Sequence, residues 1–147
     1  MQNFKKHRKN SLGLWGWLGG GRYGLERYAY SLHRITGLGI LAYFLMHIFV
    51  TGSRLGGEQK WESTMAYFQQ PIFKFGELLV FLAFAFHAAN GIRLVLVELG
   101  YGLGKPARPV YPYVNSVMKQ RPVFIALMVV AAVIAVLGGA NFYLIGK

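Results

Sequence analysis

Residues 31–51 read SLHRITGLGILAYFLMHIFVT, an apolar stretch in which Arg34 is the only residue of the Asp, Glu, Lys and Arg type. At about 1.5 Å of rise per residue, a helix of this length crosses a hydrocarbon layer of about 30 Å. His33 and His47 fall on one face of such a helix, because fourteen residues return it to within about 40° of its starting direction. The same rise separates these histidines by about 21 Å, so they cannot serve the same small site.

Two more segments, residues 72–99 and 122–145, are also long and apolar. We therefore predict an all-α membrane protein with three transmembrane helices, at about 31–51, 72–99 and 122–145. Residues 1–30 are interpreted as a basic N-terminal and interfacial segment, and residues 31–147 as the three-helix transmembrane domain.

The composition supports a membrane protein and limits its chemistry. Hydrophobic residues make up 54% of the chain, and sixteen Lys and Arg stand against five Asp and Glu, a net charge of +11. The basic residues cluster at the ends of apolar segments without a basic-aromatic groove pattern, which favours membrane lipid over nucleic acid as the partner. The chain has no cysteine, so it cannot by itself form a disulfide or hold an iron-sulfur cluster. If iron is bound, histidines must hold it.

The positive charges predict an orientation. Seven Lys and Arg lie at or before Arg34 and four lie in residues 105–121, whereas the other side has three in residues 52–74 and Lys147 at the C-terminus. Because cytoplasmic segments are enriched in Lys and Arg, we expect a multi-pass protein of the cell's cytoplasmic membrane, with its N-terminus in the cytoplasm and its C-terminus outside.

His47 and His87 lie in spans of opposite direction. Placing an ionisable side chain at membrane depth is energetically costly, so such a residue usually has a function. Each can be a haem ligand, part of a proton path or a hydrogen-bond partner for another helix. No acidic residue is expected nearby, which disfavours a proton path. If Arg34 and Arg93 mark the cytoplasmic boundary, His47 lies about 20 Å deep and His87 about 9 Å deep. This offset favours a histidine of a partner subunit for each over one haem shared within the chain.

His33, Arg34 and Arg93 stand at the ends of the spans, where the carboxylates of a haem or the carbonyl of a quinone could reach them. Arginine suits both groups because its guanidinium presents a fixed fork of donors. For Arg93, anchoring at the membrane interface by snorkelling is an equal alternative.

Two motifs extend this interpretation: residues 31–37 read SLHRITG, and about fifty residues later residues 86–93 read FHAANGIR. Together they resemble the cytochrome b subunit of succinate dehydrogenase, with specific motifs in the first two spans and with hydropathy and order in the third. The resemblance implies a helical bundle completed by a second membrane anchor subunit. It also implies attachment of an iron-sulfur subunit and a flavoprotein subunit, with electrons passing from succinate to quinone. The chain would be a non-catalytic subunit of that enzyme.

The resemblance also assigns roles to individual residues. His87 matches the ligand to the iron of haem b, and His33 and Arg34 match the pair near the haem propionates and the quinone, which is menaquinone or ubiquinone. His47 resembles the first-helix histidine of two-haem members, so a second haem b is expected there, shared with the partner subunit. The other residues expected in the propionate and quinone region are Tyr30, Ser31, Thr36 and Arg93.

Two alternatives remain open at this stage. The chain could be the anchor of a quinol:fumarate reductase, which works in the opposite direction. It could also be a structural or assembly subunit without haem, whose histidines form hydrogen bonds between helices.

Overall fold

The computed structural model describes residues 13–18, 25–102 and 119–145. These ranges contain helices and turns and no strand. The basic residues before Gly13, most of the predicted basic loop and Lys147 lie outside them. The elements are, in chain order, α1 (Gly13–Leu18), α2 (Leu25–Gly52), a 3-10 helix (Ser53–Gly56), α3 (Glu58–Phe68), α4 (Pro71–Glu98) and α5 (Arg121–Ile145).

Three of the helices are long and apolar enough to cross a membrane. The candidate spans are Leu25–Gly56, Pro71–Glu98 and Arg121–Phe142. The prediction of an all-α membrane protein with three transmembrane helices is therefore confirmed.

The bounds of α4 and α5 agree with the predicted spans to within one residue, whereas α2 begins at Leu25, six residues before the predicted start at residue 31. Hydropathy locates the apolar part of a helix and not its polar first turns. Residues 25–36 contain no Gly or Pro that would stop the helix, and Glu26 in the first turn suits the positive end of the helix dipole. At the other junction, Pro71 begins α4 at its first turn as the sequence predicts.

The central helix is α4, which packs against both α2 and α5. The buried apolar residues are small ones: Ala29, Ala85, Ala89 and Ala131. The buried polar residues are Ser31, Thr36, Asn90, Arg93 and Gln120. Large apolar side chains such as Phe49, at 81% exposure, point outward instead. Small and polar residues between helices with large apolar residues outside are the arrangement expected when lipid is the solvent.

Gly138 allows α5 to approach α4. A Cβ added at Gly138 would overlap the ring of Phe81, whereas one added at the neighbouring Gly139 would only reach ordinary contact with Leu78, at 3.9 Å. Of these two glycines, Gly138 is therefore the residue that makes the close contact.

An ion pair joins the ends of α2 and α5. Nε of Arg121 donates to Oε1 of Glu26 at 2.7 Å, and its Nη2 lies 3.4 Å from Oε2. The two residues are 95 positions apart in sequence. The pair fixes the first turns of the two outer helices at the same end of the bundle.

We expect Gly138→Ala to lower the stability of the detergent-solubilised protein by about 1–3 kcal/mol, because the new methyl group must displace the Phe81 ring from a packed interface. Gly139→Ala is the matched control and should have no such cost. The measurement is the thermal denaturation midpoint of both variants. Equal midpoints would show that the α4–α5 contact is not as close as described.

Candidate functional site

Histidines from two helices meet at the crossing of α2 and α4. The imidazole rings of His33 and His87 are stacked, with centroids 3.9 Å apart and an angle of 7° between the planes. Both residues are partly buried. Two of the residues singled out from the sequence, 54 positions apart, therefore form a single cluster inside the bundle.

The protonation of His87 follows from its hydrogen bonds. Its Nδ1 lies 3.0 Å from the backbone carbonyl oxygen of His33 and 3.2 Å from Oγ1 of Thr36. A carbonyl oxygen can only accept a hydrogen bond, so Nδ1 carries the proton and donates it. In a neutral imidazole this leaves the lone pair on Nε2. His87 is thus fixed in the tautomer in which Nε2 can bind a metal.

Glycine makes this contact possible. A Cβ added at Gly37 would lie 2.8 Å from Cε1 of His87, which is closer than real Cβ contacts. At Gly91 on the facing helix, an added Cβ would lie 3.8 Å from Cε1 of His33, an ordinary contact. The imidazole of His87 therefore occupies space that only a glycine at position 37 leaves open.

The stack also corrects the depths inferred from sequence. The stack places His33 and His87 at one level of the bundle. The sequence estimate, with the membrane boundary at Arg34 and Arg93, had placed His87 about 9 Å deeper than that boundary. Because α2 begins at Leu25, His33 lies eight residues into the helix, or about 12 Å. The offset between His87 and His47 along the bundle consequently grows to about 21 Å, the separation of His33 and His47.

Arg93 points into the bundle. It is 6% exposed, its Nε donates to Oδ1 of Asn90 at 2.9 Å, and its guanidinium lies 5.4 Å from the centre of the Phe124 ring on α5. It therefore does not extend outward as snorkelling requires. Sequence reasoning missed Asn90, which is completely buried, although an amide inside a transmembrane span was a signal. Two buried nitrogens, Nδ2 of Asn90 and Nδ1 of His33, have no hydrogen-bond partner in the described parts of the chain.

The remaining residues of the predicted site lie along α2. Nη1 of Arg34 donates to the hydroxyl oxygen of Tyr30 at 2.7 Å, and the Arg34 guanidinium lies 5.4 Å from the centre of that ring. Both side chains are exposed, whereas Ser31 is 2% exposed. Tyr30 and Arg34 thus form a polar, accessible pair one helical turn from the histidine stack, and Ser31 faces the interior.

His47 lies apart from this cluster, beside an open cavity of about 470 Å³ lined by α2, α3 and α4. Its ring stacks on that of Tyr43 with centroids 5.8 Å apart. The apolar face of α3 lines the cavity. That face consists of Trp61, Met65 and Phe68.

Glu77 lines the same cavity as His47. The expectation that nothing acidic lies near the histidines is therefore wrong for His47, because the start of α4 packs beside the end of the antiparallel α2. Glu77 also pairs with Lys74, three residues earlier, at 3.7 Å, and its side chain is 39% exposed. The His47 site thus combines an imidazole, a carboxylate and an apolar wall.

Taken together, these features define a multi-pass membrane subunit with histidines at two levels of a helical bundle. The chain belongs to the family of succinate dehydrogenase/fumarate reductase transmembrane subunits, whose family model matches residues 5–139. This confirms the family indicated by the two histidine motifs. It is thus a membrane anchor of an enzyme complex.

Two relatives support the assignment, and both are named succinate dehydrogenase hydrophobic membrane anchor subunit. The protein from Halobacterium salinarum is 30% identical over 102 residues, which covers 69% of this chain and 68% of the relative. The protein from Archaeoglobus fulgidus is 32% identical over 81 residues, covering 55% of this chain and 69% of the relative. No solved structure matches the chain.

Alanine substitutions at two glycines of α2 should have opposite effects on stability. Gly37→Ala places a methyl group against the His87 ring and should cost about 1–3 kcal/mol. Gly39→Ala meets no atom within 4 Å and should be neutral or stabilise the helix by up to about 1 kcal/mol. Thermal denaturation of the two purified variants checks this. A Gly37→Ala protein as stable as the Gly39→Ala protein would contradict the close contact between His87 and α2.

Proposed function

We propose that the chain is the haem b-binding membrane anchor subunit of a succinate dehydrogenase. It carries electrons from the iron-sulfur subunit to quinone and docks the hydrophilic subunits onto the membrane, while the oxidation of succinate takes place in another chain. The observation that carries this proposal is the orientation of His87. Its Nδ1 proton is donated inside the bundle, which leaves the lone pair of Nε2 available as a ligand.

The surroundings of His87 fit a haem. Histidines that bind metals characteristically donate their other ring proton to a backbone carbonyl or similar acceptor, as His87 does to His33. Ala83 and Gly91, four residues before and after His87 on the same face of α4, are small and let a flat group or another helix approach closely. Bound at Nε2 of His87, haem b would supply one-electron transfer between the iron-sulfur subunit and quinone.

The described residues offer no second histidine that could hold the same haem as His87. Their other histidines are His33 and His47. The His33 ring is stacked face to face on the His87 ring, so the two rings cannot present their nitrogens to one ion between them. His47 lies about 21 Å along α2 from His33. The second membrane anchor subunit is therefore the source of the opposing ligand.

Tyr30, His33 and Arg34 provide hydrogen-bond donors for the quinone and the haem propionates. Arg34 is held against Tyr30 by its 2.7 Å hydrogen bond, which orients its guanidinium group. Carboxylates and quinone carbonyls both accept from such donors. Reduction of menaquinone or ubiquinone to the quinol adds two electrons and two protons at its oxygens. By donating hydrogen bonds to a quinone oxygen, these side chains would hold the atom to which a proton is added during reduction.

His47 supports a second haem b. It is exposed on α2 beside a cavity whose walls are mostly apolar, and the cavity volume falls in the range of small-molecule and cofactor sites. Its distance from the His87 level is too large for one haem to contact both residues. Haem groups at the two levels would place electron carriers across the bundle.

Single substitutions of the two histidines test the number of haems. His87→Ala and His47→Ala should each remove one haem b from the purified complex, because each removes the imidazole nitrogen that binds iron. The haem-to-protein ratio and a redox titration of the reduced-minus-oxidised spectrum are measured for both. Ile92→Ala and Ile48→Ala, exposed neighbours on the same helices, are the matched controls and should retain both haems.

Three results would contradict the proposal in different ways. A wild-type complex without a b-type absorption band would leave a haem-free structural subunit as the function. If His47→Ala changes neither the haem ratio nor the titration, the complex has one haem. If His87→Ala keeps its haem, the ligand assignment is wrong.

The proposed orientation can be tested with introduced cysteines, because the chain has none of its own. We propose that the N-terminus is cytoplasmic, which places the exposed residues Lys60 of α3 and Lys119 near the start of α5 on opposite sides of the membrane. A membrane-impermeant thiol reagent added to intact cells should label Lys60→Cys and spare Lys119→Cys. Inverted vesicles should give the reverse, and the same pattern in both preparations would contradict this orientation.

A further inference from the structure

The hydroxyl group of Thr36 lies directly between α2 and the ring of His87. Thr36 is 9% exposed. Its Oγ1 donates to the carbonyl oxygen of Leu32 at 2.8 Å, lies 3.0 Å from that of His33, and lies 3.2 Å from Nδ1 of His87. It is therefore the nearest side-chain oxygen to His87 for which the structure gives a contact.

The available protons determine which group donates in each hydrogen bond between Thr36, His87 and the backbone of α2. Thr36 has one hydroxyl proton, and the backbone carbonyls of α2 can only accept it. If the hydroxyl instead donated to Nδ1, the lone pair of Nδ1 would face the His33 carbonyl oxygen at 3.0 Å, which is repulsive. The Nδ1 proton of His87 is therefore shared by two acceptors, the His33 carbonyl and Oγ1 of Thr36, while the Thr36 hydroxyl donates to its own helix.

We propose that Thr36 is a positioning residue for the iron ligand: together with the His33 carbonyl it fixes the plane of the His87 imidazole and raises the basicity of Nε2. The proposal rests on the haem-binding function of His87. Acceptors on the outer ring proton make an imidazole a stronger electron donor to its metal, which favours the ferric state. The midpoint potential of this haem would thus depend on a hydroxyl of the neighbouring helix.

The stacked ring of His33 completes the arrangement. It covers one face of His87 at 3.9 Å and prevents the imidazole from tilting in that direction. The ring also lies close to the backbone of α2 at Gly37, since a methyl group added there would lie 2.8 Å from Cε1 of His87. With two acceptors at Nδ1 and these two contacts, α2 determines the direction in which Nε2 points.

Thr36→Val tests the proposal because valine keeps the branched shape of threonine and lacks the acceptor. In the purified complex, we expect haem to remain bound and the midpoint potential of the His87 haem to shift upward. Thr36→Ser retains the hydroxyl and should restore the wild-type potential. Thr64→Val is the matched control, because Thr64 makes the same bond to the residue four positions earlier, at 2.8 Å, without contacting His87.

The outcomes separate this inference from the haem proposal. If the wild-type complex contains haem that His87→Ala removes, but Thr36→Val leaves its potential unchanged, the positioning role is wrong and haem binding stands. If Thr36→Val and Thr64→Val shift the potential equally, the effect is not specific and the inference is overturned. Should the valine variant not assemble, Thr36→Ala removes the same acceptor without added bulk, and the same upward shift is required of it.

Discussion

The contact between His87 and α2 is the interaction on which the rest of the site depends. A hydrogen bond of 3.0 Å from Nδ1 to the His33 carbonyl holds the imidazole, and the absence of a side chain at Gly37 provides the space for it. If the helices were farther apart, the ring could rotate and either nitrogen could carry the proton. The close crossing gives a histidine at membrane depth a hydrogen-bond acceptor and a fixed orientation, as the proposed ligand role requires.

The same crossing explains the distribution of side chains in the bundle. Helices in lipid gain little from burying large apolar groups against each other, so close approach requires small residues and internal polar partners. Ala85 and Ala89 on α4 and Thr36 on α2 meet this requirement, and Arg93 is paired with Asn90 inside the bundle. The large apolar side chains remain outside, available to lipid and to the proposed second anchor subunit. Packing and site geometry thus follow from one constraint.

Much of this organisation could be predicted from sequence, and the part that could not has a physical reason. Hydropathy located three spans, and the motifs around His33 and His87 indicated the family. The meeting of those two histidines was not predicted, because their relative height depends on where the polar first turns of α2 begin. Hydropathy does not detect such turns. The Glu26–Arg121 pair was missed because it depends on the register of α5 against α2. The burial of Asn90 was missed although an amide inside an apolar span signals an internal position.

The most direct test of the account is an electron cryo-microscopy map of the intact complex at side-chain resolution. The account predicts a flat macrocycle with its iron bound to Nε2 of His87, while Nδ1 remains within hydrogen-bond distance of the His33 carbonyl and Thr36. A map in which the imidazole of His87 instead bonds to a neighbouring helix through Nε2, with no macrocycle beside it, would contradict the central claim.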